Sequence, residues 1–242
     1  MIKNNKIALI TGGNKGLGME IGRQLGLLGY TVVITARNEQ AGKAAVAKLV
    51  AAGCDAHTAR LEVTSPDDIV SLASYLETTF GRLDVLVNNA GIALEWDGEP
   101  TNVDKIRRTL EVNLIAPYAI TEALVPLLSR SDDARVINQS STLGSMGTAE
   151  NAWEQMAGFM TVGYSTSKAG LNMLTLIQSK ALANKRIAVA AAHPGWVKTD
   201  LGSQAAPMEV DDGASTVVSL VTIARDKFPH GQLIHKGERM PW

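Results

Sequence analysis

Residues 7–18 read IALITGGNKGLG, and this stretch decides the fold. Ile7 to Ile10 form a short apolar run suited to a buried strand. The run breaks into glycines at 12, 13, 16 and 18. A helical pattern over 17–28 follows at once, with Ile21, Leu25 and Leu28 at 3.6-residue spacing. Glycines in such a place let the chain turn sharply and bring its backbone close to a pyrophosphate. The helix behind them offers free N–H groups and a partial positive charge to an anion. The spacing G-x-x-x-G-x-G differs from the G-x-G-x-x-G fingerprint, so an ordinary tight turn is the competing reading. The strand before it and the helix after it weigh against that turn.

Outward from the loop, short β-rich runs alternate with longer helical ones. Strands are predicted at 31–36, 84–87, 135–139, 187–192 and 232–235, with a weaker candidate at 56–63. Helices are predicted at 40–51, 66–80, 103–128, 164–184 and 213–224. The helix at 66–80 is announced by Thr64 and Ser65 as caps before Pro66. Strands this apolar suit a sheet covered on both faces. The pattern predicts an α/β fold: one doubly wound, Rossmann-type parallel sheet of about seven strands, with helices on both faces and ligands at the carboxyl ends of the strands. The 242 residues read as a single dinucleotide-binding and catalytic domain over 1–242, with no repeat or linker.

Composition narrows the function. The 23 basic and 24 acidic residues give a net charge of −1, so no basic field points to nucleic acid. Cys54 is the sole cysteine, which excludes an internal disulfide and fits a reducing cytosol; it reads as an inert surface or packing residue. No signal peptide or membrane span is recognised, and a cytoplasmic location is expected. His57, His193, His230 and His235 show no metal-ligand spacing, and no metal is expected. His193, Asp84 and Asp200 read as packing, turn or surface residues before site residues.

The second strand ends at Arg37, 19 positions after Gly18. An acidic residue near this point holds the ribose 2′-hydroxyl of NAD, whereas an arginine accommodates the 2′-phosphate of NADP. Arg37 is a fork-shaped phosphate donor, and Lys15 could reach the same phosphate from the loop. Glu39 is the contrary sign, since it could take the acidic role. The balance favours NADP(H).

Tyr164 and Lys168 stand four apart at the start of a helical run and so share a face. An ammonium beside a phenol favours the phenolate and lowers its pKa from about 10. Such a tyrosine can exchange a proton with a carbonyl or alcohol oxygen. An ordinary surface pair would show the same spacing. Ser140 and Ser141 follow the 135–139 strand, where a hydroxyl can orient a substrate oxygen or simply complete a turn.

Taken in order, TGGNKGLG at 11–18, NNAG at 88–91, Asn113, Ser141, Tyr164 with Lys168, and Pro194-Gly195 resemble the short-chain dehydrogenase/reductase family over nearly the whole chain. Lys15, TAR at 35–37, PGWVKTD at 194–200 and the tail PHGQLIHKGERMPW are similar to its NADPH-dependent carbonyl reductases. The resemblance implies that Tyr164 is the general acid–base. It implies that Lys168 holds the nicotinamide ribose and lowers the Tyr164 pKa, that Ser141 bonds the substrate oxygen, and that Asn113 holds a proton-relaying water. Gly12, Asn14, Lys15, Gly16, Leu17 and Gly18 would shape the phosphate turn. Asn89 and Ala90 would line the adenosine ribose, Glu62 and Val63 the adenine, and Pro194, Gly195, Val197 and Thr199 the nicotinamide. Asn88 would tie strands together.

Glu62 departs from the family's usual aspartate. The 23-residue gap from Ser141 to Tyr164 is also longer than common, though shorter than in carbonyl reductases, where the insertion discourages a tetramer. The extra segment, with Met146, Trp153, Met156, Phe159 and Met160, reads equally as a cover for the site or a small surface helix. Trp96, Trp196, Met208 and the 94–101 loop would suit a bulky, apolar carbonyl compound. The expected partner is thus a small carbonyl or alcohol substrate, with no nucleic acid or membrane, in a monomer or a homo-oligomer. An NAD-dependent alcohol dehydrogenase and a non-catalytic dinucleotide sensor are the alternatives.

Overall fold

The computed structural model describes residues 4–242. Its sheet contains β1 (Ile7–Ile10), β2 (Thr31–Ala36), β3 (Asp55–Arg60), β4 (Val85–Asn88), β5 (Ala134–Gln139), β6 (Ile187–Ala192), β7 (Leu233–His235) and β8 (Glu238–Met240). They lie in the order β3-β2-β1-β4-β5-β6-β7-β8. Every pairing is parallel except β7 with β8. The expected seven strands are present, and β8 is added. It closes a hairpin through Lys236 and Gly237, both at positive φ (48° and 86°). Its sequence, Glu-Arg-Met, carries no apolar run to announce it. β3 also ends earlier than expected, at Arg60 rather than at 63.

Alternate residues of each strand point to opposite faces, and the helices divide accordingly. Ala8, Ile10, Val32, Ile34, Val85 and Val87 pack with α1 (Gly16–Leu27), α2 (Glu39–Ala51) and α9 (Val210–Thr222). Leu9, Val33, Leu86, Val136 and Val189 pack with α3 (Pro66–Phe80) and α5 (Ala116–Leu128). Side chains such as Leu25 and Leu76 are fully buried, each stabilising the fold by about 1.5–3 kcal/mol. Cys54 is a packing residue in the first of these cores, and burial raises its thiol pKa.

Local signals set the helix ends. Ser65 Oγ accepts from the Asp68 N–H at 3.2 Å ahead of Pro66, and Gly81 closes α3 in the left-handed conformation (φ 73°). The helix expected over 103–128 is α4 (Val103–Leu110), a π turn (Glu111–Ile115) and α5. Among the described residues, Val103–Leu128 is the one helical run long and apolar enough to cross a membrane, which the sequence reading did not anticipate. Ile120, Leu124, Leu127 and Leu128 of this run are buried in the protein core.

The extra segment forms a 3₁₀ turn (Thr142–Gly144), α6 (Met146–Asn151) and α7 (Trp153–Met156) before α8 (Val162–Ala181). The chain winds from β1 to β3 in one direction and from β4 to β7 in the other. The crevice at the carboxyl ends of β1 and β4 is therefore the topological switch point, where such sheets bind ligands.

Candidate active site

The glycine loop and the NNAG loop meet in this crevice. Gly12 (φ 62°) and Gly16 (φ 53°) take backbone conformations that side chains disfavour. Thr11 Oγ1 accepts from the N–H groups of Asn89 and Ala90, each at 3.0 Å, and Asn89 Nδ2 donates to the Thr11 carbonyl at 2.8 Å. A Cβ on Gly18 would lie 2.4 Å from Asn89 Nδ2, so the absence of a side chain admits Asn89. α1 starts at Gly16 with no side-chain cap, leaving its first N–H groups for another acceptor. Asn14 and Lys15 precede these donors in the loop, and Leu17 lies in the first turn of α1 itself.

The two basic residues expected near a phosphate are both exposed and both have acidic partners. Lys15 Nζ lies 2.5 Å from Asp200, and Arg37 Nη1 lies 3.9 Å from Glu62. The Glu62 N–H donates to Asp68 at 2.7 Å, which fixes its backbone, and its side chain faces Arg37 at the rim. Val63 is buried in the core beneath it.

Tyr164 lies in the first turn of α8 and is buried, as is Lys168 one turn on. Lys168 Nζ sits 5.6 Å from the Tyr164 ring centre and donates to the Gln139 carbonyl at 2.8 Å. Burial pushes the Tyr164 pKa up to about 12; the Ser141 hydroxyl works against the rise. Burial lowers the Lys168 pKa to about 8. The expectation of a lowered Tyr164 pKa is therefore corrected: desolvation outweighs the Ser141 hydrogen bond that opposes it.

Ser141 lies two residues beyond β5, at the start of the 3₁₀ turn, and accepts from the Leu143 N–H at 3.1 Å. Its loop is latched to α8, because Asn172 accepts from Ser140 Oγ at 2.6 Å and donates to the Gly144 carbonyl at 3.0 Å. Asn113 lies in the π turn, a feature common at functional sites. Its amide pairs with both backbone groups of Ile92 (2.9 and 2.8 Å) and donates to Ser167 Oγ at 3.1 Å. A Cβ on Gly91 would lie 3.4 Å from Asn113 Oδ1 and 3.7 Å from Lys168 Nζ, so Asn113 and Lys168 converge on Gly91. Asn88 donates to Asn138 at 2.9 Å and to Thr121 at 3.1 Å, tying β4 to β5 and α5 as expected.

The segment after β6 crosses the same crevice. Gly195 (φ 89°) packs where a Cβ would strike Met208, and Val197 bridges to Met208. Thr199 lies beside Gly16, and Pro194 follows the half-buried His193. Burial, then the ring of His235 at 4.9 Å, lowers the His193 pKa to about 4, so it packs as a neutral ring. Aromatic rings roof the site: Trp96 lies 4.8 Å from Tyr164, and Phe159 lies 5.4 Å from Trp196. The extra segment thus reaches across to the 194–200 segment through Phe159.

One residue was not anticipated. Glu95 is buried, and its Oε2 accepts from the N–H groups of Gly163 (2.7 Å) and Tyr164 (3.0 Å). Glu95 shares its loop with Asp97 and Glu99, and no periodic signal sets it apart from them.

A family model described as short chain dehydrogenase matches residues 6–210. Carbonyl reductase [NADPH] 3 of Rattus norvegicus is 33% identical, covering 98% of this chain and 99% of the relative. The (+)-neomenthol dehydrogenase of Arabidopsis thaliana is 30% identical over 93% of this chain and 94% of its own. Among solved structures, an NADPH-bound carbonyl reductase from chicken fatty liver superposes with a TM-score of 0.86 at 28% identity, over the whole of both chains.

Proposed function

The chain belongs to the short-chain dehydrogenase family, and from that premise we propose that it is an NADPH-dependent reductase of ketone, aldehyde or quinone carbonyls in which Tyr164 gives the proton. One observation carries the reading. Tyr164, Lys168, Ser141 and Asn113 converge beside the same crevice into which the glycine loop opens.

The residues present fit the dinucleotide. Gly12, Gly16 and Gly18 form a cradle that side chains would strain or fill, and the uncapped first turn of α1 offers donors to a pyrophosphate. Lys15 and Arg37 are cations suited to a 2′-phosphate, reached by exchanging their partners Asp200 and Glu62. Asn89, Ala90, Glu62 and Val63 would border the adenosine half, and Pro194, Gly195, Val197 and Thr199 the nicotinamide half. When bound, the dinucleotide supplies the hydride chemistry.

The chain's own groups do the rest. Ser141 and Tyr164 donate to the substrate oxygen and so stabilise the charge that develops on it. A pKa near 12 keeps Tyr164 protonated at neutral pH, the state a proton donor needs. Lys168 and Asn113 stand behind it as the route by which the proton is replaced. The exposed rings of Trp96, Phe159 and Trp196 would suit a bulky, apolar substrate. The test is oxidation of NADPH by a panel of carbonyl compounds. Preference for NADH would instead favour the alcohol dehydrogenase reading, with Glu39 or another acid on the ribose.

A further inference from the structure

We infer that Glu95 is a positioning residue: its carboxylate is the N-terminal cap of α8 and fixes Tyr164 from a distant loop. The inference rests on the reading of Tyr164 as proton donor. Thr161, the residue preceding α8, makes no side-chain capping bond. A helix start leaves its first N–H groups without intrahelical partners, and leaving them unpaired in a buried setting is costly. Glu95 Oε2 takes two of these, Gly163 N–H at 2.7 Å and Tyr164 N–H at 3.0 Å, while its other oxygen accepts from Thr101 Oγ1 at 3.2 Å. Both carboxylate oxygens are thereby engaged, and charge-assisted bonds of this kind are stronger than neutral ones. A negative group at this end also complements the helix dipole.

Two further observations show that the contact is built in. A Cβ at Gly163 would lie 2.7 Å from Glu95 Oε2 and 3.2 Å from Ile106 Cα, so only glycine admits the carboxylate and α4 together. The next residue, Trp96, packs on the Tyr164 ring at 4.8 Å. Residues 95 and 96 therefore hold Tyr164 by its backbone and by its ring.

Glu95→Ala and Glu95→Gln test this on the full chain. The amides of Gly163 and Tyr164 are followed by hydrogen exchange, and kcat, KM and NADPH affinity are measured with a carbonyl that the wild type reduces. In Glu95→Ala, exchange at the two amides should rise by about tenfold or more while the β-strand amides stay protected. Its kcat should fall by about 10- to 100-fold, as a small displacement of a reacting group can cost, with KM and NADPH affinity within about twofold. Glu95→Gln keeps an acceptor oxygen and should recover most of both. Unchanged exchange in Glu95→Ala would overturn the inference. So would a loss of kcat matched by equal losses of NADPH affinity and of global protection. If the wild type reduces no carbonyl but the two amides still lose protection in Glu95→Ala, the cap stands and the reductase reading falls.

Discussion

Lys168 Nζ lies 5.6 Å from the centre of the Tyr164 ring and donates to the main-chain carbonyl of Gln139 at 2.8 Å. The helix brings the two side chains to one face, and the end of β5 supplies the acceptor that holds the ammonium there. Both groups are removed from water, and each is shifted toward its neutral form, Tyr164 to about 12 and Lys168 to about 8.

These shifts set the expected pH profile. Tyr164 stays protonated throughout the neutral range, so its ionisation should not limit carbonyl reduction until well above pH 9. Lys168 loses its proton as pH rises through about 8. Reduction should therefore decline above about pH 8, and the decline should belong to Lys168. Lys168→Met should lower kcat/KM at pH 7 and abolish that limb. A limb unchanged in Lys168→Met would assign it elsewhere.

Arg37 and Lys15 should govern the choice of dinucleotide. Replacing Arg37 with Asp places a carboxylate where a 2′-phosphate is expected. The ratio of NADPH to NADH affinity should fall by about 10- to 100-fold, the range of one or two lost charge-assisted bonds. Asp200→Asn releases Lys15 from its 2.5 Å partner and should tighten NADPH binding modestly, with no gain for NADH. Titration by nicotinamide fluorescence measures both.

Gly144→Ala should uncouple the serine loop from α8. A Cβ at this position would lie 2.4 Å from the Lys168 carbonyl carbon and 2.5 Å from the Ala169 nitrogen, both main-chain atoms that cannot swing aside. The loop must move instead, at a cost of about 1–3 kcal/mol in stability. Because Ser141 precedes it by three residues, kcat should fall along with the urea midpoint.

Asp133 should carry part of the acid stability. Burial alone would raise its pKa, but hydrogen bonds from Arg135, Lys6 and Arg225 outweigh that and bring it from 3.8 to about 2. A depressed folded value means stability that is complete above the unfolded pKa and lost as pH falls from about 4 toward 2. Asp133→Asn should thus cost about 2 kcal/mol at pH 7 and flatten the decline between pH 4 and 2. Urea melts across that range give the answer.

What could be read from the sequence is what is encoded locally. The glycine loop and the Tyr164–Lys168 pair follow from spacing within one turn or one strand-to-helix junction. The alternation of apolar runs gave the sheet and its two helical faces. What could not be read depends on distant partners. Glu95 meets Gly163 and Tyr164 across 68 and 69 residues, and Asn172 meets Ser140 across 32. The π turn at Asn113 is hidden because the helical period continues on both sides of it. The upward shift of Tyr164 depends on burial, which residue spacing does not report.

The most direct test of the central claim compares wild type with Tyr164→Phe for NADPH binding and for NADPH oxidation by carbonyl compounds. The substitution removes one oxygen from a packed ring, so the fold and NADPH affinity should persist. The wild type should oxidise NADPH with at least some ketones, aldehydes or quinones, and Tyr164→Phe should lose about 100- to 10,000-fold in rate, the usual worth of a positioned acid. Turnover that survives in Tyr164→Phe at the wild-type rate would contradict the assignment.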